Sequence, residues 1–258
     1  MTFTQYYNLV DLQARMSLKA DAANYFFGYI WWLLEPLIYV VIFYVVFSVI
    51  LKTRSDDFLV FLLIGNLPFV WFSKSVSQAS NGLIANAGLI GRIDAPKSLF
   101  PMVIVQAGAY KQATVFALLM AVLIVFDYQP EWAWLWLLPL VIVNYILIVG
   151  CAFLGAVLVC FMRDFSIFIS LGMLGLMFTS GIFWNVRTLA DPQMTDLILA
   201  VNPIAFLLDA YRQVLMFGTP PDLIPLLRVA SGSCLLLIAV LSFMRRKSKL
   251  LALKTLAA

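Results

Sequence analysis

Four charged residues lie within otherwise apolar stretches of the chain; Arg228 lies close enough to the end of its stretch to snorkel to the interface, and the other three are the first candidates for chemistry. They are Glu35, Lys74 and Lys111. A charge inside a membrane-crossing stretch is costly, and such residues commonly mark ion pairs, proton relays or substrate paths. Glu35 and Lys74 have matching predicted depths, so they either pair across two antiparallel helices or line a water-filled path. Lys111 lies nearer the middle of its stretch, with the same two roles open to it.

Enzyme chemistry finds little support elsewhere in the sequence. Histidine is absent, which removes the usual general base and the commonest zinc ligand. The sequence has no G-x-x-x-x-G-K-S/T loop, so ATP and Mg²⁺ would have to be bound by another polypeptide. The acidic pair Asp56-Asp57 is compatible with a metal site of a membrane transferase, but its basic neighbours favour a solvated cluster. No metal site and no cofactor are expected in this chain.

The composition of the chain indicates whether these residues lie in water or in lipid. Hydrophobic residues make up 64% of the 258 residues and charged residues only 12%, against roughly 45–50% and about 25% in soluble domains. A soluble fold of this size could not bury so much apolar surface, so the chain is expected to lie in lipid. We therefore predict an all-α integral membrane protein.

Six apolar runs are long enough to cross about 30 Å of hydrocarbon as helices. We predict transmembrane helices at residues 29–51, 58–80, 99–126, 132–161, 166–184 and 223–244. All six belong to a single domain that covers residues 1–258.

The distribution of basic residues predicts the orientation. Cytoplasmic loops carry the excess of Lys and Arg, and an even number of spans leaves both termini on one side. Ten basic residues fall on the side of the termini, namely Arg15, Lys19, Arg92, Lys97, Arg163, Arg245, Arg246, Lys247, Lys249 and Lys254. Four fall on the other side, namely Lys52, Arg54, Arg187 and Arg212. Both termini are predicted to be cytoplasmic, and residues 245–258 form a basic tail that is either solvated or bound to a partner or anionic lipid.

Two segments are predicted to be helical without crossing the membrane. In residues 1–28, Leu9, Leu12 and Met16 recur at helical spacing while Asp11, Arg15 and Lys19 follow another face, which predicts an amphipathic interfacial helix. Within residues 185–222, the runs 194–201 and 204–217 are too short to span and are separated by Asn202-Pro203. We predict a short re-entrant helical hairpin that enters from the outer face.

Aromatic side chains are concentrated in the first and fifth predicted spans. Flat rings can stack on the C–H faces of sugars, so a subset is a candidate lining for a sugar path, although rings also face lipid or pack between helices. The candidates are Tyr39, Phe43, Tyr44 and Phe47 in the first span, and Phe168, Phe178, Phe183 and Trp184 in the fifth.

Several short runs resemble one known family. These are residues 29–37, 61–69, 77–81, 86–90 followed by Pro96, and 202–204. In this order and over nearly the full length, they are similar to the permease subunits of ABC exporters for O-antigen, teichoic acid and capsular polysaccharide.

The resemblance implies a function and a set of partners. The permease would be a homodimer, bound to two ABC ATPase subunits, in the bacterial cytoplasmic (inner) membrane. Its substrate would be a polysaccharide linked to undecaprenyl diphosphate, with O-antigen expected because the outer loops are short and poor in charge. Export of capsule or teichoic acid, a permease of the same fold for drugs or small lipids, and remotely a membrane-embedded transferase are the alternatives.

The resemblance also implies roles for particular residues. The segment around residues 86–94 would be a coupling helix that docks into the ATPase through Asn86, Leu89, Ile90 and Arg92. Gly91-Arg92 departs from the two basic residues expected there, which weakens the electrostatic part of that docking. The first and fifth spans would form an aromatic channel, and the hairpin an outer gate. Arg15 and Lys19 would bind the lipid diphosphate or, alternatively, the lipid surface.

Overall fold

A computed structural model describes residues 2–24, 26, 28–50, 57–93 and 95–257, without the side chains of residues 3, 39, 40, 43, 47, 48 and 257. The described chain is built from helices, and no strand occurs within it.

The N-terminal helix α1 (Phe3–Ala23) packs along one side of the protein. Its first turn is closed by a capping box between Thr2 and Gln5. Its buried face consists of Val10, Ala14, Leu18 and Ala22, which recur every four residues, and it packs against the helix that spans Leu99–Val125. Leu12 and Met16 lie on the opposite side and are 54% and 61% exposed. The helix therefore has two apolar sides, of which only one contacts the protein.

Helices α2 (Trp31–Tyr44) and α3 (Phe58–Ser80) correspond to the first and second predicted spans. Helix α2 contains Pro36 and continues as a π-helical turn, Val45–Ile50. Helix α3 coincides with the predicted second span, and most of its residues are buried. It lies at the centre of the fold, where it contacts helices before and after it in the chain.

The core forms around α3 and two long helices that follow. After the short helices α4 (Gly82–Ala85) and α5 (Ala87–Ile90), helix α6 (Leu99–Val125) and helix α7 (Leu137–Phe161) pack on α3. A 3₁₀ segment, Trp132–Trp136, leads into α7. Gly155 permits the close contact of α3 and α7, because a Cβ atom there would collide with Ser80 Oγ. Small residues at such contacts let membrane helices approach closely.

The fifth predicted span is shorter than expected. Helix α8 (Phe165–Thr179) has 15 residues, or about 22 Å at about 1.5 Å per residue. A turn that includes Phe183 and Trp184 follows it, instead of further helix. The prediction of a helix through residue 184 was therefore wrong at its C-terminal end.

The region between the fifth and sixth predicted spans is a sharply bent helix pair. Helix α9 (Pro192–Val201) and helix α10 (Pro203–Leu215) meet at an angle of 107°. Asn202 caps α10 by accepting hydrogen bonds from the backbone N–H groups of Ile204 and Ala205, and Pro203 occupies the first turn. Every residue from Ile204 to Leu215 is buried, so α10 belongs to the core.

The C-terminal segment is packed on the protein and is not a free basic tail. Helix α11 extends over Leu223–Arg246, and helix α12 follows at Ser248–Ala257. Leu251 and Thr255 of α12 are buried, and the Cys160 Sγ of α7 lies 3.2 Å from Thr255 Oγ1. One face of α12 covers α7 and α5, while the basic residues Arg245, Arg246, Lys247, Lys249 and Lys254 are all exposed, so their two predicted roles both stay open.

Four of the described helical segments are long and apolar enough to cross a membrane: Phe58–Ser80, Leu99–Val125, Trp132–Phe161 and Leu223–Arg246. The bent pair α9–α10 gives up to five if it counts as one span. The chain is therefore a multi-pass membrane protein.

The contact between α3 and α7 can be tested with matched glycine substitutions. Alanine is favoured over glycine in a helix by roughly 0.5–1 kcal/mol, so Gly232→Ala, where an added Cβ meets nothing within 4 Å, should not destabilise the protein. Gly155→Ala should lower the melting temperature, because the new methyl group overpacks Ser80 at a cost of about 1–3 kcal/mol. Thermal unfolding in detergent, followed by size-exclusion chromatography, measures both. Equal melting temperatures for the two variants would refute the contact.

Candidate functional site

A cavity of about 530 Å³ lies between α1, α2, α3 and α6. Its lining includes the three intramembrane charges singled out in the sequence, Glu35, Lys74 and Lys111, together with Asp21. Trp31, Trp32 and Trp71 line it as well. The cavity thus combines two cations, two carboxylates and three indole rings.

Glu35 and Lys74 form an ion pair across α2 and α3. Lys74 Nζ lies 2.5 Å from Glu35 Oε2, and the two side chains are 42% and 34% exposed. The pairing expected from matched depth is therefore present. Because the pair also lines the cavity, a role in binding stays open beside the structural one.

Lys111 pairs with Asp21 of α1, a residue that the sequence analysis did not single out. Lys111 Nζ donates a hydrogen bond to Asp21 Oδ2 at 2.8 Å and lies 5.2 Å from the centre of the Trp32 ring. A charged residue in an apolar span needs a partner. The sequence holds one clue to this pair: Asp21 is a carboxylate at the end of the N-terminal amphipathic segment to which no basic partner had been assigned.

The two candidates for the lipid diphosphate lie on α1. Arg15 pairs with Asp11 at 3.0 Å, its side chain is 67% exposed, and Lys19 is exposed as well. The Tyr110 hydroxyl of α6 donates a hydrogen bond to the same carboxylate. This bond, and then Arg15, hold the pKa of Asp11 below its ordinary value. Arg15 and Lys19 can reach a surface ligand, and their role stays a prediction.

The aromatic candidates of the first span are only partly described. The side chains of Tyr39, Phe43 and Phe47 lie outside the described residues. Tyr44 is 40% exposed on α2. The structure therefore leaves the channel role of this group as a prediction.

The aromatic candidates of the fifth span divide into an exposed pair and a partly buried pair. Phe168 and Phe178 are 66% and 57% exposed on α8. Phe183 packs against the core with its ring centre 5.8 Å from that of Phe178, and Trp184 Nε1 donates to the Phe178 carbonyl at 3.0 Å. Phe178 is thus exposed at the end of α8, where its ring contacts Phe183 and its backbone carbonyl contacts Trp184.

Within the predicted coupling helix, residues 86–94, the structure has one short helical turn, α5 (Ala87–Ile90), which α4 precedes. Asn86 separates α4 from α5, and its Nδ2 donates to the Gly82 carbonyl at 2.8 Å. Leu89 is 40% exposed, whereas Ile90 is only 4% exposed and belongs to the core. Arg92 is exposed, and Asp94 lies outside the described residues. Ile90 therefore cannot be a surface docking residue in this conformation, which leaves Leu89 as the apolar contact.

Arg212 of α10 is the residue that the sequence analysis placed most inaccurately. It was counted among the outer-loop cations, yet it is 3% exposed. It donates hydrogen bonds to the carbonyl oxygens of Gly181 at 2.7 Å, Ile182 at 3.1 Å and Phe61 at 3.3 Å. A Cβ atom at Gly65 of α3 would collide with its guanidinium group. The signal was an arginine within an apolar helical run, where a buried partner is the rule.

A second polar cluster lies next to Arg212. Arg187 Nη2 lies 2.8 Å from Asp209 Oδ2 and 3.1 Å from Asp222 Oδ2. Asp209 is 5% exposed and also accepts a hydrogen bond from Gln213. These bonds tie the segment before α9 to α10 and to the start of α11.

Comparison with known proteins agrees with the resemblance seen in the sequence. The sequence model of the family described as ABC-2 type transporter matches residues 13–216. The O-antigen export system permease protein RfbA of Klebsiella pneumoniae is 25% identical over 213 residues, which cover 82% of each chain. The protein of that name from Myxococcus xanthus is 23% identical over 238 residues, which cover 92% of each chain.

A double-mutant cycle tests the coupling between Glu35 and Lys74. Glu35→Ala and Lys74→Ala should each destabilise the protein, and the double variant should lose about 0.5–3 kcal/mol less than the sum, because the contact is lost only once. Chemical unfolding in detergent supplies the free energies. The control cycle combines Glu35→Ala with Lys249→Ala, an exposed lysine of α12, and should be additive. Additive losses in both cycles would mean that the ion pair contributes nothing.

Proposed function

The chain belongs to the ABC-2 type transporter family, and on that premise we propose that it is the permease subunit of an ATP-driven O-antigen exporter. Its substrate is a polysaccharide linked to undecaprenyl diphosphate, carried across the bacterial cytoplasmic membrane. The observation that carries the proposal is the similarity to O-antigen export permeases over 82–92% of this chain. ATP is hydrolysed by a separate ABC ATPase subunit.

In the proposed topology, six spans leave both termini in the cytoplasm. The first span is α2 with its π-helical extension, and α8 with its following turn is the fifth. Helix α1 lies at the inner interface, where its exposed Leu12 and Met16 (54% and 61% exposed) enter lipid while Arg15 and Lys19 meet phosphate. The pair α9–α10 is the re-entrant hairpin, and the internal hydrogen bonding of α10 supports this placement.

The proposed functional unit is a homodimer. Helix α8 has no buried residue in the single chain, and Ile167, Leu171 and Leu174 are all more than half exposed. A Cβ atom at Gly172 or Gly175 would meet nothing within 4 Å, so another helix can approach closely there. A second copy that covers α2 and α8 would enclose Phe168 and Phe178 in a path between the subunits.

The ATPase docks in this proposal on the surface formed by α5 and α12. Leu89 and Ile93 are both 40% exposed, and Leu253 and Leu256 of α12 are 67% and 55% exposed. A Cβ atom at Gly91 would lie 3.1 Å from Leu256, so α12 adjoins the end of α5. Exposed apolar patches of this kind on a cytoplasmic face fit a protein partner.

Deletion of the gene tests the function as a whole. We expect cells without the permease to lose O-antigen from their surface and to accumulate lipid-linked polymer in the inner leaflet, since synthesis continues while export stops. Immunoblots of surface and membrane fractions measure both, with plasmid complementation as the control. Normal surface polymer after deletion would refute the proposal.

The docking surface is tested at Leu89 with two substitutions. Leu89→Asp places a charge in the proposed apolar interface and should lower ATPase recovery on affinity purification at least tenfold, with loss of export. Leu89→Met keeps an apolar contact of similar volume and should retain both. If the Asp variant recovers ATPase as well as the wild type does, α5 does not dock there.

The sugar path is tested by cysteine accessibility in a background without Cys151, Cys160 and Cys234. Phe178→Cys should react with a membrane-impermeant thiol reagent during export and be protected when polymer is stalled, because a path between subunits holds water. Ile238→Cys, 62% exposed on α11, should stay unreactive because it faces lipid. An unreactive position 178 in every nucleotide state would assign the path elsewhere.

A further inference from the structure

We infer that the cavity between α1, α2, α3 and α6 is a binding site for a phosphate-bearing lipid, with the phosphate in the cavity and part of a chain in an adjoining apolar pocket. The inference concerns these four helices and α7, which supplies part of the apolar pocket, within one subunit. It depends neither on the exported polymer nor on the ATPase.

Two buried hydrogen-bond donors in the cavity wall indicate a missing ligand. Trp71 Nε1 and Gln112 Nε2 have no partner among the described residues, and these side chains are 5% and 6% exposed. Burying an unpaired N–H group is costly, so native proteins seldom leave such groups without a partner. Both residues line the cavity, and because their N–H groups are buried, a bound acceptor pairs with them only when the atoms that cover them shift.

The chemistry of the lining favours an acceptor-only, anionic group. Lys74 and Lys111 each carry three N–H donors and contact one carboxylate each, Glu35 and Asp21. The two unpartnered atoms are donors as well. Phosphate oxygens accept hydrogen bonds and attract ammonium groups, whereas a sugar hydroxyl would bring donors of its own.

An apolar pocket next to the cavity favours a lipid over free phosphate. It has a volume of about 200 Å³ and shares Trp71 and Gln112 with the cavity. Its remaining lining is Ala109, Ala113, Phe116, Val141, Ile142 and Tyr145. A polar and an apolar compartment that meet at two shared residues match an amphiphile, with its head on the lysines and its chain beside Phe116.

Melting temperatures of the detergent-solubilised chain, without ATP or ATPase, test the inference. Dioctanoyl phosphatidylglycerol should raise the melting temperature, whereas dioctanoylglycerol, which lacks phosphate, and glycerol phosphate, which lacks chains, should have little effect. Lys111→Gln should weaken the apparent affinity for dioctanoyl phosphatidylglycerol at least tenfold. Lys249→Gln, the same change at an exposed position, should leave the affinity unchanged.

The Gln112→Leu variant distinguishes a role of Gln112 in lipid binding from a role in the stability of the fold. It removes an unpartnered donor, so the variant should melt at a higher temperature than the wild type without lipid, yet respond at least tenfold more weakly to dioctanoyl phosphatidylglycerol.

Undecaprenyl diphosphate distinguishes between two sources of the lipid. If it binds more tightly than dioctanoyl phosphatidylglycerol and its binding depends on Lys111, the ligand is the carrier lipid; if it binds more weakly, the ligand is bulk phospholipid. Both results support the site. An undiminished response in the Lys111 and Gln112 variants, or an equal response to dioctanoylglycerol or to glycerol phosphate, would overturn it.

Discussion

The bond network of Arg212 joins helix α10 to segments far from it in the sequence, including Phe61, which lies 151 positions away. Buried polar groups have no water to bond to, so their hydrogen bonds must be made within the protein. Arg212 of α10 does this for three carbonyl groups, on Phe61, Gly181 and Ile182, and thereby fixes α10 to α3 and to the turn after α8. Gly65 leaves the space that the guanidinium group occupies. Without this network, a buried helix with two charged residues would have no stable position in the core.

The need to pair buried polar groups also distinguishes the buried core of the molecule from the surfaces that remain for partners. Around α3, α7 and α10 most side chains are buried, and Asn202, Asp209 and Arg212 have partners within the chain, whereas the Nδ2 of Asn66 has none among the described residues. Helices α2 and α8 instead present exposed apolar faces, on which the proposed second subunit and sugar path depend. The cavity beside α1 combines both situations, because its lysines are paired while two of its buried donors are not.

The sequence predicted the elements whose signal is local. Apolar length placed α3, and Asn202-Pro203 predicted the break between α9 and α10 because the Asn cap and the Pro act within one turn. Matched depth predicted the Glu35–Lys74 pair. The errors and omissions involve long-range packing: the burial of Arg212 and Ile90, the partner Asp21, and the attachment of α12 to α7 all depend on segments distant in sequence. The early end of α8 is of the same kind, since Arg212 binds the carbonyl groups of the turn that follows it.

Hydrogen exchange of an Arg212→Lys variant, measured by mass spectrometry in detergent, tests the central role of this network most directly. Lysine keeps the charge but lacks the planar fork that reaches three carbonyl groups at once. We expect faster amide exchange in α10 and in the turn after α8, with α1 unchanged, whereas Arg228→Lys at an exposed position of α11 should exchange like the wild type. Wild-type exchange rates in α10 of the Arg212→Lys variant would contradict this central role.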